Sequence, residues 1–172
     1  MTAIAPALDG LDVETQPQKV RRRSRDFYWY SPVLKRRLDH VTADMVITPR
    51  NEAEIAQVLA HAYHTDTAVT VRGAGTGNYG QAMPLKGGIV LDLSAMNQVL
   101  SVQGSVGRFQ AGAVLRDIDK ALQPKGLELR FHPSTHELAT IGGFVAGGSG
   151  GVGSVTWGTL RDRGAVHKLR LM

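Results

Sequence analysis

The sequence predicts an α+β protein in which a small parallel βαβ unit is followed by a second unit with a mixed or antiparallel sheet and helices. Three observations predict it. The segments VITPR (46–50) and AVTVR (68–72) are β-branched, and a run of helical period lies between them, which is the order of a parallel crossover. Two further strand-like runs flank Gly104, as in a hairpin. A content of 20 glycines and 7 prolines in 172 residues is high for a helical bundle and suits loop-rich α/β or α+β architecture.

Taken in order, residues 1–20 are rich in breaks and poor in periodicity, and they read as a loose tail. Residues 26–40 suit a short helix with Phe27, Tyr30, Val33 and Leu34 on one side, so residues 1–39 form a tail and a basic, aromatic helix. After the strand at 46–50, Asn51 suits an N-cap with Glu54 as its capping-box partner, and Ile55, Val58, Leu59 and Ala62 follow at helical spacing. GIVLDLS (88–94) is a further strand. QVLSVQ (98–103) and SVGRFQAGA (105–113) make the hairpin. Residues 114–124 form a second amphipathic helix with Leu115, Ile118 and Leu122 inward, ended by Pro124 and Gly126. LELRF (127–131) and AVHKLRLM (165–172) alternate like strands, and Thr140 caps a brief helix, IGGFVAG.

Composition narrows the function. The length suits about one domain, and a hydrophobic share of 42% supports a core. The chain has no cysteine, which excludes disulfides, thiolate metal sites, cysteine nucleophiles and cysteinyl cofactor links. Arg21, Arg22, Arg23, Arg25, Lys35, Arg36 and Arg37 concentrate the positive charge. RRRSRDF superficially matches a twin-arginine leader, but an export signal needs an apolar run of about 7–15 residues. Here FYWYSPVL is short, broken by Pro32 and followed by KRR. The expected location is cytoplasmic, with contact at the inner membrane face through the basic, aromatic cluster as an option. A solvated helix with its aromatics on the core is the plainer account of that cluster, and no nucleic-acid partner is expected.

Glycines carry the strongest functional signal. Six fall in RGAGTGNYGQAMPLKGG (72–88) and nine in GGFVAGGSGGVGSVTWGTLRDRG (142–164). Glycine admits φ > 0 and close approach of other atoms to the backbone. Two such windows suggest two backbone surfaces against one large ligand. GTGNYG formally matches a dinucleotide fingerprint, with Asp92 where its acid would stand. That fingerprint must open a helix, and QAMPLKGG leaves no room for one. No GxxxxGK[ST] loop occurs. What remains is a run of small residues whose N–H groups form an anion nest, with Thr76 and Asn78 as neutral donors. In the second window, Thr140 and the N–H groups of Ile141, Gly142 and Gly143 suit a helix start that takes an anion or polar group. Val155 and Trp157 beyond it need burial.

Several motifs, in order, carry a resemblance. VRGAGTGNYGQAMPLKGGIVLDLSAMNQVL resembles the pyrophosphate loop of the FAD-linked oxidases, the vanillyl-alcohol-oxidase or PCMH-type fold. QAGAVLRDIDKAL, PSTHELATIGG and GVGSVTWGTLRD are similar to later family segments. The resemblance covers about residues 40–172 and is greatest to the D-lactate dehydrogenase and glycolate oxidase branch. It implies a PCMH-type FAD-binding domain over 40–172. Arg72, Gly73, Ala74, Gly75, Thr76, Gly77, Asn78, Gly80 and Gln81 would wrap the FAD pyrophosphate. Pro133 and Ser134 would line the path from adenosine to flavin. Thr140, Gly142 and Gly143 would meet phosphate or ribityl oxygens, and Gly150, Gly153, Ser154 and Gly158 would pack near the flavin. Members with covalent flavin usually carry histidine where this chain has Thr76, so the resemblance implies noncovalent FAD.

Family enzymes are longer, with a substrate domain and catalytic acid–base residues in later segments. The resemblance therefore implies a flavin domain truncated at its C-terminus, without a substrate domain and inactive alone. Its full-length enzyme would oxidise a hydroxyl-bearing carbon of a small-molecule substrate, with a quinone, cytochrome or oxygen as acceptor. A non-catalytic nucleotide-binding fragment is the alternative, and a basic nucleic-acid or membrane-surface module is a third reading. Catalytic residues are not identified. His61 with His64, and His132 with His136, have no third ligand at metal spacing and read as solvated or capping residues. His167 reads as structural, and Asp117 and Asp119 as an ordinary charged helix exterior.

Overall fold

The protein is described by a computed structural model covering residues 6–162 and 164–172. It forms two compact units, Met1–Ala95 and Met96–Met172. The first contains β1 (Val13–Glu14), α1 (Pro17–Arg23), α2 (Pro32–Leu38), β2 (Met45–Ile47), α3 (Glu52–His64), β3 (Val69–Arg72) and β4 (Ile89–Asp92). Its sheet has the order β1-β2-β4-β3, with β1 antiparallel to β2 and the other pairs parallel. The two strands of the crossover are parallel as expected, but β4 lies between them. All four β4 residues are buried. A central parallel strand is covered on both faces, which is why this segment is a continuous apolar run and does not alternate.

The α3 helix starts as its sequence dictates. Asn51 Oδ1 accepts from the Glu54 N–H at 2.9 Å. Glu54 closes the cap one residue early, accepting from the Arg50 N–H at 2.8 Å. Ile55, Val58 and Ala62 are buried along one stripe.

Of the segment 1–20 expected as a loose tail, residues 1–5 lie outside the described residues, and the rest is not loose. Leu8 and Val20 are buried, β1 joins the sheet, and Ser24 Oγ bonds the Val20 carbonyl and the Ala43 N–H. A two-residue strand and a seven-residue helix contain too few periods to show in sequence. The first compact unit runs to Ala95 and so includes the segment expected as a tail and short helix. The expected helix over 26–40 is a 3-10 turn at Tyr28–Tyr30 followed by α2. Pro32 sets the break: it suits the first helical position, and Ser31 Oγ caps the Leu34 N–H.

The second unit contains β5 (Val99–Gln103), β6 (Val106–Phe109), α4 (Leu115–Leu122), α5 (Ile141–Ala146) and α6 (Ser154–Trp157). β5 and β6 form the expected antiparallel hairpin, with Gly104 at φ 55° in its turn. Leu115, Ile118, Leu122, Phe131, Ala139 and Phe144 build the core. Two segments expected as strands are not. Over 127–131 the alternation is genuine, since Leu127, Leu129 and Phe131 pack on the core. Among the described residues no strand runs beside it, however; the Leu129 N–H donates to Asp119 Oδ1, and an isolated bridge joins His132 to Val152. Residues 165–172 likewise form no strand, and Leu169, Leu171 and Met172 are exposed.

Candidate cofactor site

β3 delivers Arg72 to the edge of the first glycine window, and the rest of that window is loop and turn. No helix follows GTGNYG, which agrees with the rejection of a dinucleotide fingerprint. The side chain of Arg72 folds under the loop. Nη1 donates to the Arg25 carbonyl at 2.5 Å and Nη2 to the Ala74 carbonyl at 3.1 Å. Nε is buried without a hydrogen bond. Desolvation lowers the guanidinium pKa, and the negative charge of Asp92 opposes that shift. The group stays cationic, because a guanidinium does not lose its proton in a protein.

Above this cation the backbone presents unused donors. Among the described residues, the N–H groups of Ala74, Gly75, Thr76, Gly77 and Asn78 reach no protein acceptor. Gly75 has φ 68°, and a Cβ there would collide with the Arg72 guanidinium. Consecutive free N–H groups backed by a buried positive charge suit a phosphate or diphosphate. Gly73 and Gly80 lie at either side of this run, half-buried. Gln81 turns back, its Oε1 accepting from the Tyr79 N–H at 3.0 Å.

The segment after α1 braces this loop, which the sequence did not announce. The Phe27 N–H donates to the Gly77 carbonyl at 2.6 Å, and the Arg25 carbonyl holds Arg72. Asp26, itself buried, accepts from the N–H groups of Tyr28 and Ala82. Arg23 pairs with the fully buried Asp92 at 2.6 Å. Arg25 pairs with Asp39 at 2.9 Å. Two arginines of the basic cluster are thus committed to ion pairs of the fold. Of its aromatics, Tyr28 is buried, whereas Trp29 and Tyr30 are exposed and stacked at 4.1 Å.

The second window lies in the second unit and behaves differently. Thr140 is buried and caps α5 by accepting from the Gly143 N–H at 3.3 Å. The Ile141 N–H donates to the Ala113 carbonyl, and the Gly142 N–H to the Ala111 carbonyl. All three N–H groups expected to take an anion or polar group therefore have protein acceptors in this structure. Gly142 is required for a different reason: a Cβ there would stand 2.7 Å from Ala111 atoms. Pro133 opens a turn closed by the His136 N–H, and Ser134 is exposed on it. Gly150 is exposed. Gly153, at φ 100°, packs on the Arg130 carbonyl. Ser154 Oγ accepts from the Gly151 N–H, and Gly158 ends α6 against Asp162. Val152, Val155 and Trp157 are exposed, so the burial expected for Val155 and Trp157 is not found within this unit. The Arg130 guanidinium covers one face of the Trp157 ring at 5.2 Å.

The histidine reading also changes. Asp119 is buried on α4, not exterior, and its Oδ2 lies 2.7 Å from His136 Nε2 and 3.1 Å from His132 Nε2. A carboxylate does stand beside that pair. Sequence spacing could not reveal it, because Asp119 precedes His136 by 17 residues on a different element. His64, by contrast, bonds the Ala60 carbonyl of its own helix. Among the described residues no helix is long and apolar enough to cross a membrane.

A family model described as an FAD binding domain matches residues 43–172. The glycolate oxidase subunit GlcD of Bacillus subtilis is 35% identical over 121 residues, covering 69% of this chain and 26% of that protein. A D-lactate dehydrogenase of Archaeoglobus fulgidus is 35% identical over 119 residues, covering 69% and 27%. The chain thus spans about a quarter of the length of these relatives. Among solved structures, 6-hydroxy-D-nicotine oxidase from Arthrobacter nicotinovorans superposes with a TM-score of 0.70 at 21% identity, covering 91% of this chain and 33% of that one. This last likeness concerns the fold.

Proposed function

The chain belongs to the FAD-binding domain family, and we propose that it is the flavin-holding part of an oxidoreductase that takes hydride from the hydroxyl-bearing carbon of a 2-hydroxy acid. FAD is the cofactor of the family, and the residues present fit it: free N–H groups at 74–78 over a buried guanidinium match a diphosphate. That juxtaposition carries the reading. Bound FAD supplies the hydride acceptor. The chain's own part is to fix the pyrophosphate through the Ala74–Asn78 N–H groups, to neutralise its charge with Arg72, and to keep the loop in shape through Phe27 and Asp26. With Thr76 in the loop and no cysteine, binding is noncovalent. The substrate class rests on the names of the two relatives, glycolate and D-lactate enzymes. Turnover is proposed for a longer protein or assembly that supplies the substrate pocket, as the quarter-length coverage supports.

The test is a titration of the purified chain with FAD, ADP and riboflavin, followed by flavin fluorescence and competition. FAD should bind one per chain, be released intact by acid, and be displaced by ADP but not by riboflavin. Arg72→Met should weaken FAD about 10- to 100-fold, the loss of one charge-assisted contact of about 1.5–3 kcal/mol. Riboflavin binding as tightly as FAD would refute the pyrophosphate role. Reduction of bound FAD by glycolate or D-lactate in the longer protein tests the substrate class separately.

A further inference from the structure

Asp119, His132 and His136 meet at one point of the second unit. His132 and His136 flank Pro133 on a turn, and Asp119 projects from α4 beneath them. One donor atom from each residue lies within 4.8 Å of the other two. Asp119 Oδ2 is the shared partner, at 2.7 Å from His136 Nε2 and 3.1 Å from His132 Nε2. In a tetrahedral zinc site, bonds of about 2.0–2.1 Å put neighbouring ligand atoms roughly 3.3 Å apart. The His132 spacing is close to that, and the His136 spacing, now a hydrogen bond, would have to open by about 0.6 Å to admit an ion.

Hydrogen bonding accounts for only half of this cluster. The His136 ring bonds Asp119 Oδ2, and Asp119 Oδ1 is used by the Leu129 N–H. His132 Nε2, by contrast, is buried and makes no hydrogen bond, although it lies 3.1 Å from the same oxygen atom. A buried polar nitrogen without a partner is uncommon. A cation at the point of convergence would satisfy it and both neighbours together. Leu129 fixes the orientation of the carboxylate, and Glu137 Oε1 lies 3.7 Å from His136 Nδ1, on the side from which a carboxylate orients a ligating imidazole. A cavity of about 560 Å³ opens beside the three residues, leaving room for a further ligand.

We propose that Asp119, His132 and His136 form a binding site for a divalent transition-metal ion of the zinc class, with an open coordination position toward the cavity. Two imidazoles and one carboxylate favour such ions over magnesium or calcium, which prefer all-oxygen shells. The site shares no residue with the 72–81 loop, although its two histidines flank Pro133 and Ser134, the turn that the resemblance assigns to the flavin path.

The experiment uses the purified chain, stripped with a chelator and titrated with Zn²⁺ by calorimetry and with Co²⁺ by visible absorption. One ion per chain is expected, with the visible bands of low-coordinate Co²⁺. His132→Gln, His136→Gln and Asp119→Asn should each weaken binding at least tenfold, while the double variant His61→Gln/His64→Gln on α3 should bind as the parent does. Asparagine keeps an acceptor for the Leu129 N–H, and circular dichroism reports whether each variant is folded. A second measurement needs no variant: Zn²⁺ should protect His132 and His136, but not His61 and His64, from acylation by diethyl pyrocarbonate, mapped by mass spectrometry. The proposal is overturned by any of three results: substoichiometric binding by the parent, unchanged affinity in folded variants of the three residues, or no selective protection of His132 and His136.

Discussion

Gly75→Ala tests how the glycine loop is built. Two separate effects act on the new methyl group. The backbone at residue 75 has φ 68°, a conformation that costs an L-residue about 1–2 kcal/mol. The methyl group also collides with the Arg72 guanidinium, which is tied to Arg25 and Ala74 and cannot withdraw freely. Losing one of these charged hydrogen bonds adds about 1.5–3 kcal/mol. Gly10 separates the two effects, because it has φ 82° in the same unit and open space where its Cβ would be. Gly10→Ala should therefore lose about 1–2 kcal/mol and Gly75→Ala about 3–5 kcal/mol, the sum of the same two effects. The assay is urea unfolding followed by Trp29 fluorescence in a Trp157→Phe background, so that only the first unit is observed. At a urea slope of about 1–3 kcal/mol per molar, the two midpoints should differ by about 1 M. FAD affinity should fall in Gly75→Ala and stay unchanged in Gly10→Ala. Equal midpoints would show that Arg72 is free to move and that the loop is not seated on it.

Two further outcomes follow from the same unit. Hydrogen bonds from Arg25, Lys35 and Tyr28, with Arg25 first, hold the Asp39 carboxyl well below the usual carboxylate range. Its folded pKa is depressed, so its stabilisation is complete above the unfolded value of about 3.9 and is lost as pH falls toward the folded one; Asp39→Asn should flatten the acid limb of a urea-midpoint profile, and an unchanged limb would refute the assignment. Asn51→Ala removes the acceptor for the Glu54 N–H and should cost about 1 kcal/mol, read as a lower thermal midpoint without loss of native far-ultraviolet dichroism.

What could be read in the chain depended on how local its cause was. The α3 stripe, the β5–β6 hairpin and the buried run of β4 are set by periodicity and turn residues, and each formed where expected. The segment 127–131 has the same alternation but no strand beside it, and alternation says nothing about a partner. Strand order is equally silent in local pattern, so β4 inserted itself between β2 and β3. At the first loop, the positive φ of Gly75 and Gly80 was legible because it follows from residue type, whereas which N–H groups stay free depends on packing. Gly142 was legible as a glycine but not in its role, since the approach of Ala111 is a tertiary contact. Asp119 was assigned to the exterior from its charged neighbours, yet burial on α4 and two histidines from another element place it inside.

The brace formed by residues 23–28 has a practical and an evolutionary consequence. The family match begins at residue 43, yet Arg23, Arg25, Asp26 and Phe27 hold Asp92, Arg72, Ala82 and Gly77 in place. Expressing only the matched segment would strip the loop of its scaffold while keeping every residue of its motif. By the same token, drift within this short stretch could retune flavin affinity with no change to any residue that touches the dinucleotide.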